Sequence, residues 1–139
     1  MPFSGVERID IVAIDISGRH SVQGRYRMVC AAVSAQVSPN FIEKFNAVRL
    51  VPRTAEALDL NLISDLISET CSGLAGTVVA EQGDFYNVEV WRAKSILGRE
   101  IKYPETIAER TAIQLAHHIS LAGRRLITDR NEELIDEWG

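Results

Sequence analysis

The sequence predicts an α/β domain in which a three-stranded antiparallel meander is followed by alternating helices and strands on one mixed sheet. Three observations predict it. The first third holds short β-rich runs separated by Gly, Ser and Pro; from Thr54 the apolar residues recur at helical spacing; and a short β-branched run, GTVVAE, then falls between two helical stretches.

Each element follows from its local pattern. Residues 9–16 (IDIVAIDI) and 26–35 (YRMVCAAVSA) are strands joined by SGRHSVQGR, whose Gly and Ser suit a hairpin connection. After Ser38-Pro39-Asn40, residues 45–51 (FNAVRLV) supply a third strand that stops at Pro52. Leu58, Leu62, Ile63, Leu66, Ile67 and Cys71 then define an amphipathic helix from Thr54 to Ser72, with Thr54 as its cap, Glu56 near the positive end of its dipole and Gly73 ending it. Residues 76–81 read as a buried fourth strand, 88–97 as a helix ended by Gly98, with a strand over NVEVW as the alternative, and 100–103 as a short fifth strand. Pro104 opens a long helix running to Gly123, with Ile107, Ala108, Thr111, Ala112, Leu115 and Ile119 as its apolar arc. Residues 126–128 and a terminal helix over 131–138 complete one domain over residues 1–128 followed by an acidic tail or short helix at 129–139.

Composition bounds the function. At 139 residues, 46% hydrophobic and 24% charged, the chain has an ordinary globular make-up and can bury a full core without a disulfide or structural metal. The net charge of -4 resides in residues 129–139, where five acids face one Arg, so the rest is neutral and lacks the basic footprint of a protein that coats DNA. Cys30 and Cys71 stand far apart, without metal or redox spacing, and read as buried free thiols. No secretory signal and no apolar run near the roughly 20 residues of a membrane helix appears, so a cytoplasmic protein is expected.

Three acidic positions stand out. Asp15 interrupts IVAIDIS, a run apolar on both faces, where an unpaired carboxylate costs several kcal/mol of desolvation. It is either a metal ligand or general base at a strand end, or a turn-entry residue bonding the backbone of Ser17 and Gly18. Glu81 closes the VVA run at the carboxyl end of a strand, where open α/β sheets place ligands, and Asp84 three residues on can join it or cap the next helix. Glu105 and Glu109 share one helix face at i and i+4; Glu109 borders the alanines of the apolar arc and can look toward the sheet, while both also suit a solvated acidic helix start. Carboxylates converging from three elements repel one another unless cations are present, and hard oxygen ligands suit Mg²⁺ or Mn²⁺, the ions of phosphodiester hydrolysis.

These residues resemble a family. Asp15 in IDISGR, Glu81 in VVAEQGDF and Glu109 in ERTAIQLAHHI are similar to the three acidic motifs of the RuvC-type branch of the RNase H-like nucleases. Ala80-Glu81-Gln82 fits the second motif closely; the first lacks the usual Pro, and the third has Glu in place of Asp. An uncharacterised archaeal family of the same fold would suit the same residues. The resemblance implies an RNase H-like sheet and a metal-dependent nuclease acting on structured DNA or RNA. Asp15, Glu81, Glu109 and Asp84 would then be metal ligands, Glu105 would assist catalysis, and a resolvase would be a homodimer. The competing expectation is a non-catalytic RNase H-like module that binds a protein or nucleotide.

Basic residues are candidates for gripping nucleic acid. Arg92, Lys94, Arg99 and Lys102 follow the second acidic motif; Arg19, His20 and Arg25 lie in the first hairpin; Arg124 and Arg125 end the last helix. Each set also reads as a solvated surface. Adjacent His117 and His118 point in different directions on a helix and do not suggest a shared metal. Gly-rich phosphate loops, nucleophile elbows and HExxH are absent from the sequence.

Overall fold

A computed structural model describes residues 7–130. The elements are β1 (Ile9–Ser17), β2 (Tyr26–Val37), β3 (Ile42–Ala55), α1 (Leu60–Cys71), β4 (Thr77–Val79), a 3₁₀ turn (Gln82–Phe85), α2 (Val90–Leu97), β5 (Ile101–Lys102) and α3 (Ile107–Arg130). The protein is an α/β domain with one five-stranded mixed sheet in the order β3-β2-β1-β4-β5. β1, β2 and β3 pair antiparallel, whereas β4 lies parallel to β1 and β5 parallel to β4.

The central strand is buried on both faces because its side chains alternate between two helical layers. Val12, Ile14 and Ile16 point to one side and pack with Ile63, Leu66, Ile67 and Cys71 of α1, Ala93 and Leu97 of α2, and Phe85. Ile11 and Ala13 point to the other and pack with Ala108, Ala112 and Ile113 of α3. Asp15 and Ser17 continue that second row. Cys30 and Cys71 are free and buried, and burial pushes the Cys71 thiol up to about 11.

Several boundaries differ from the sequence expectation. β3 extends well beyond residues 45–51 and passes through Pro52, which an edge strand tolerates because its N–H is not needed on the open side. Thr54 therefore ends a strand and does not cap α1; Asp59 does, its carboxylate accepting the Leu62 N–H at 2.8 Å. α3 starts three residues after Pro104, continues through Gly123 and includes residues 126–128. Its buried stripe is Ala108, Ala112, Ile113, Ala116 and Ser120, while Ile107 and Thr111 of the expected arc are exposed. The terminal helix expected over 131–138 lies outside the described residues.

At about 36 Å, α3 runs across β1 and β2 and reaches β3. It begins beside the amino end of β1, where the Ala108 N–H bonds the Pro39 carbonyl, and it ends beside the carboxyl end, where Arg124 Nε donates to the Arg27 carbonyl at 2.9 Å. Between them, Ser120 Oγ donates to Asp15 at 2.9 Å and Ser17 Oγ donates to the Ser120 carbonyl at 3.1 Å, stapling the helix middle to β1. On the outer strand, Phe45, Val48 and Leu50 stay exposed, since α3 covers β1 and β2 more fully than β3.

Candidate functional site: a carboxylate pair at the end of the central strand

β4 pairs with β1 only from Ile11 to Ala13. Its chain then turns away through Ala80 and Glu81, so Asp15 lies just past the splitting of two parallel strands, where α/β sheets open a crevice. Asp15 Oδ2 accepts from Ser120 Oγ at 2.9 Å and meets His117 Nδ1 at 3.1 Å. The Asp15 side chain is 11% exposed and that of His117 is 55% exposed, so one face of the imidazole reaches solvent.

The second carboxylate is Asp84, in the 3₁₀ turn. Its residue is buried, and Arg19 Nη1 donates to its Oδ1 at 2.8 Å, but Oδ2 is buried without a hydrogen-bond partner. Burial, then repulsion from Asp15, pushes its carboxyl up to about 6 even though Arg19 pulls the other way. Phe85, fully buried among the apolar residues of the opposite layer, anchors the turn that holds Asp84 there.

Gly18 makes the Arg19 contact reachable. Its φ is +86°, and a Cβ there would stand 2.1 Å from the Arg27 carbonyl oxygen, so only glycine lets the chain turn so tightly behind Asp15. Beyond it, the hairpin closes over Val22 to Arg25 with Gln23 and Gly24 at positive φ. His20 sits exposed in that loop.

Not all expected residues come together. Glu81 is exposed and adds to the negative field felt by Asp84. Glu109 stands at the other end of the sheet, eight residues and about 12 Å of helix before His117. There it closes a capping box: the Glu109 N–H donates to Thr106 Oγ1, and the Glu109 carboxylate accepts from the Thr106 and Glu105 N–H groups at 3.1 and 2.8 Å. Lys102 Nζ adds an ion pair at 2.8 Å to Glu109 and one at 3.0 Å to the exposed Glu105. Burial works to raise the Glu109 carboxyl, but the bonds from Lys102, Glu105 and Thr106 together hold it below its ordinary value. Glu105 and Glu109 therefore secure the start of α3 and do not reach Asp15.

Sequence reasoning missed His117 and Ser120 as partners of Asp15. The signal was present, because Ser120 continues the Ala108, Ala112, Ala116 row at intervals of four; the direction in which α3 crosses the sheet was not readable. Thr106-Ile107-Ala108-Glu109 likewise carries the T-x-x-E pattern of a capping box.

The basic candidates also separate. Arg99 is structural, donating to the carbonyls of Cys71, Leu74 and Gly76 at 3.2, 2.7 and 2.8 Å. Lys94 pairs with Glu100 at 2.8 Å, and Arg92 is exposed. Among the described residues no group of three or more His, Cys, Asp and Glu is arranged to hold a metal ion, and no helix is long and apolar enough to cross a membrane.

The fold and this end of it define a small α/β domain with a buried carboxylate pair past the carboxyl ends of two parallel strands. The chain belongs to the family described as an uncharacterized protein conserved in archaea (DUF2209), whose pattern spans residues 12–128. It is similar to the Uncharacterized protein MJ0095 of Methanocaldococcus jannaschii, with 27% identity over 125 residues, covering 88% of this chain and 99% of that one.

Proposed function

We propose that this is an RNase H-like domain that hydrolyses phosphodiester bonds in structured nucleic acid with one or more divalent metal ions bound at Asp15 and Asp84. The strand order, with a meander on one side of β1 and two parallel strands on the other, supports the RNase H-like reading. The observation that carries the metal is Asp84 Oδ2, buried, unpartnered and repelled by Asp15. A cation would relieve both the repulsion and the missing partner. Mg²⁺ commonly takes only one or two protein carboxylates and completes its shell with water and phosphate oxygens, so the pair fits without a closed protein cage. Glu81, exposed beside it, adds only to the negative field at Asp84; Glu109 has no part in the site.

When bound, such an ion lowers the pKa of water and offsets charge on the leaving oxygen. The chain's own residues have distinct tasks. Ser120 and His117 fix the orientation of Asp15, Arg19 orients Asp84, and His117, tied through Nδ1, stays half-exposed beside the pair.

The test is a Mn²⁺ titration by calorimetry and thermal melting on the wild type, Asp15→Asn and Asp84→Asn. Binding in the wild type that disappears in both variants is the expected result, followed by metal-dependent cleavage of branched DNA or RNA hybrids. Absence of binding in the wild type overturns the nuclease reading. That outcome would favour a non-catalytic module, the reading supported by Arg19 already neutralising Asp84 and by Glu109 being spent on the helix cap.

A further inference from the structure

Beside the carboxylate pair, the surface carries aromatic rings that no core uses. We propose that Tyr86 and Trp91 form a stacking shelf for the unpaired bases of single-stranded nucleic acid, with Arg92 meeting its phosphates. The inference rests on the nucleic-acid reading above and specifies the form of the strand that the site takes.

Four observations carry it. First, Tyr86 is 44% and Trp91 67% exposed, although the residue before Tyr86, Phe85, is fully buried. The backbone throws the second ring outward: Tyr86 and Asn87 have φ of 55° and 59°, a left-handed conformation costly for residues other than glycine. Bonds from the Tyr86 N–H to the Gly83 carbonyl and from the Asn87 N–H to the Gln82 carbonyl hold this turn at 3.1 and 3.0 Å. Second, both rings have polar tethers that set them in place. The Arg19 guanidinium lies 5.2 Å from the Tyr86 ring centre, and Trp91 Nε1 donates to Glu89 at 2.8 Å.

Third, Tyr86, Asn87, Val88, Glu89, Trp91 and Arg92 enclose an open groove of about 400 Å³, within the size range of small-ligand sites. Fourth, one side chain links the shelf to the carboxylate pair, because Arg19 bonds Asp84 and lies against the Tyr86 ring at once. Aromatic faces interleaved with arginines suit single strands, whose bases are free to stack; a duplex keeps its bases stacked on each other. The acids nearby, Glu81 and Glu89, favour binding that leans on stacking more than on net charge.

Binding is read by fluorescence anisotropy with labelled 12-nucleotide oligo-dT and oligo-rU, and with a duplex of the same length, in EDTA so that no cleavage occurs. Both single strands should bind more tightly than the duplex, and the better of the two identifies the sugar preferred. Trp91→Ala and Tyr86→Asn, the latter compatible with left-handed backbone, should each weaken binding about tenfold, while Tyr86→Phe retains it. In a Trp138→Phe background, emission from Trp91 should be quenched on binding. Circular dichroism and melting check that each exposed-site variant stays folded. Absence of single-strand binding, or binding that Trp91→Ala and Tyr86→Asn leave unchanged, overturns the shelf. The Mn²⁺ titration is separate: metal binding without oligonucleotide binding removes the shelf alone, and the reverse removes the nuclease reading alone.

Discussion

Glu109 at the start of α3 and Asp84 beyond the end of β4 are both buried acids, yet their surroundings treat them oppositely. Glu109 meets Lys102 and two backbone N–H groups, and its proton is held less tightly than usual. Asp84 meets one arginine through one oxygen and is buried within the repulsive field of Asp15, and its proton is held more tightly. The number of donors aimed at a buried carboxylate, and not the burial itself, separates an acid that secures the fold from one that strains it. The saturated end is where stability resides; the under-satisfied end is where a ligand would be accommodated.

The comparison can be broken most severely at the saturated end. Glu109→Ala removes the carboxylate half of the capping box and leaves Lys102 without its buried partner, for a loss of about 2–3 kcal/mol. For a domain of this size, melting should then fall by roughly 8–12 °C. Because the folded-state carboxyl lies below its ordinary value, the Glu109 contribution is present at neutral pH and is lost as pH falls through that depressed value. The penalty of Glu109→Ala should therefore shrink in acid.

At the other end the sign reverses. The Asp84 carboxyl rises from 3.8 to about 6 on folding, so its contribution is full below about pH 4 and is lost as pH rises through 6. Asp84→Asn should leave melting nearly unchanged at pH 4 and raise stability by roughly 2–3 kcal/mol at pH 7.5, with metal absent. A variant that destabilises equally at both pH values would erase the contrast. The smallest expected effect is at the neighbouring turn: Tyr86→Gly relieves the left-handed backbone and should raise stability by about 1 kcal/mol in denaturant unfolding, while removing one ring of the shelf.

Much of this was legible in the sequence. The order of strands and helices follows from hydrophobic period, and Asp15 stood out because it breaks a run apolar on both faces. The long reach of β3 was hidden because Pro52 and the charged residues Glu43, Lys44, Arg49 and Arg53 interrupt it, which an edge strand tolerates. The site was half legible. Asp15 and Asp84 lie at the strand ends, while Glu109, which the helical projection rightly turns toward the sheet, meets it at the opposite end. Which end of a sheet a helix residue reaches depends on where the chain enters the crossing, and that is fixed by tertiary contacts such as the Ala108 bond to Pro39. His117 became a partner of Asp15 by the same rule.

The staple at the middle of α3 also sets the order in which the helix can come apart. A helix ordinarily frays inward from its ends. Here the Asp15, Ser17 and Ser120 bonds stand between the capped first half and a final stretch tied by Arg124. Opening from the carboxyl end would lose the Arg124 tie first and then halt at Ser120, with the capped half and the sheet still joined. The last turns can thus detach as a small cooperative unit of their own, and residues 117–120 form its boundary.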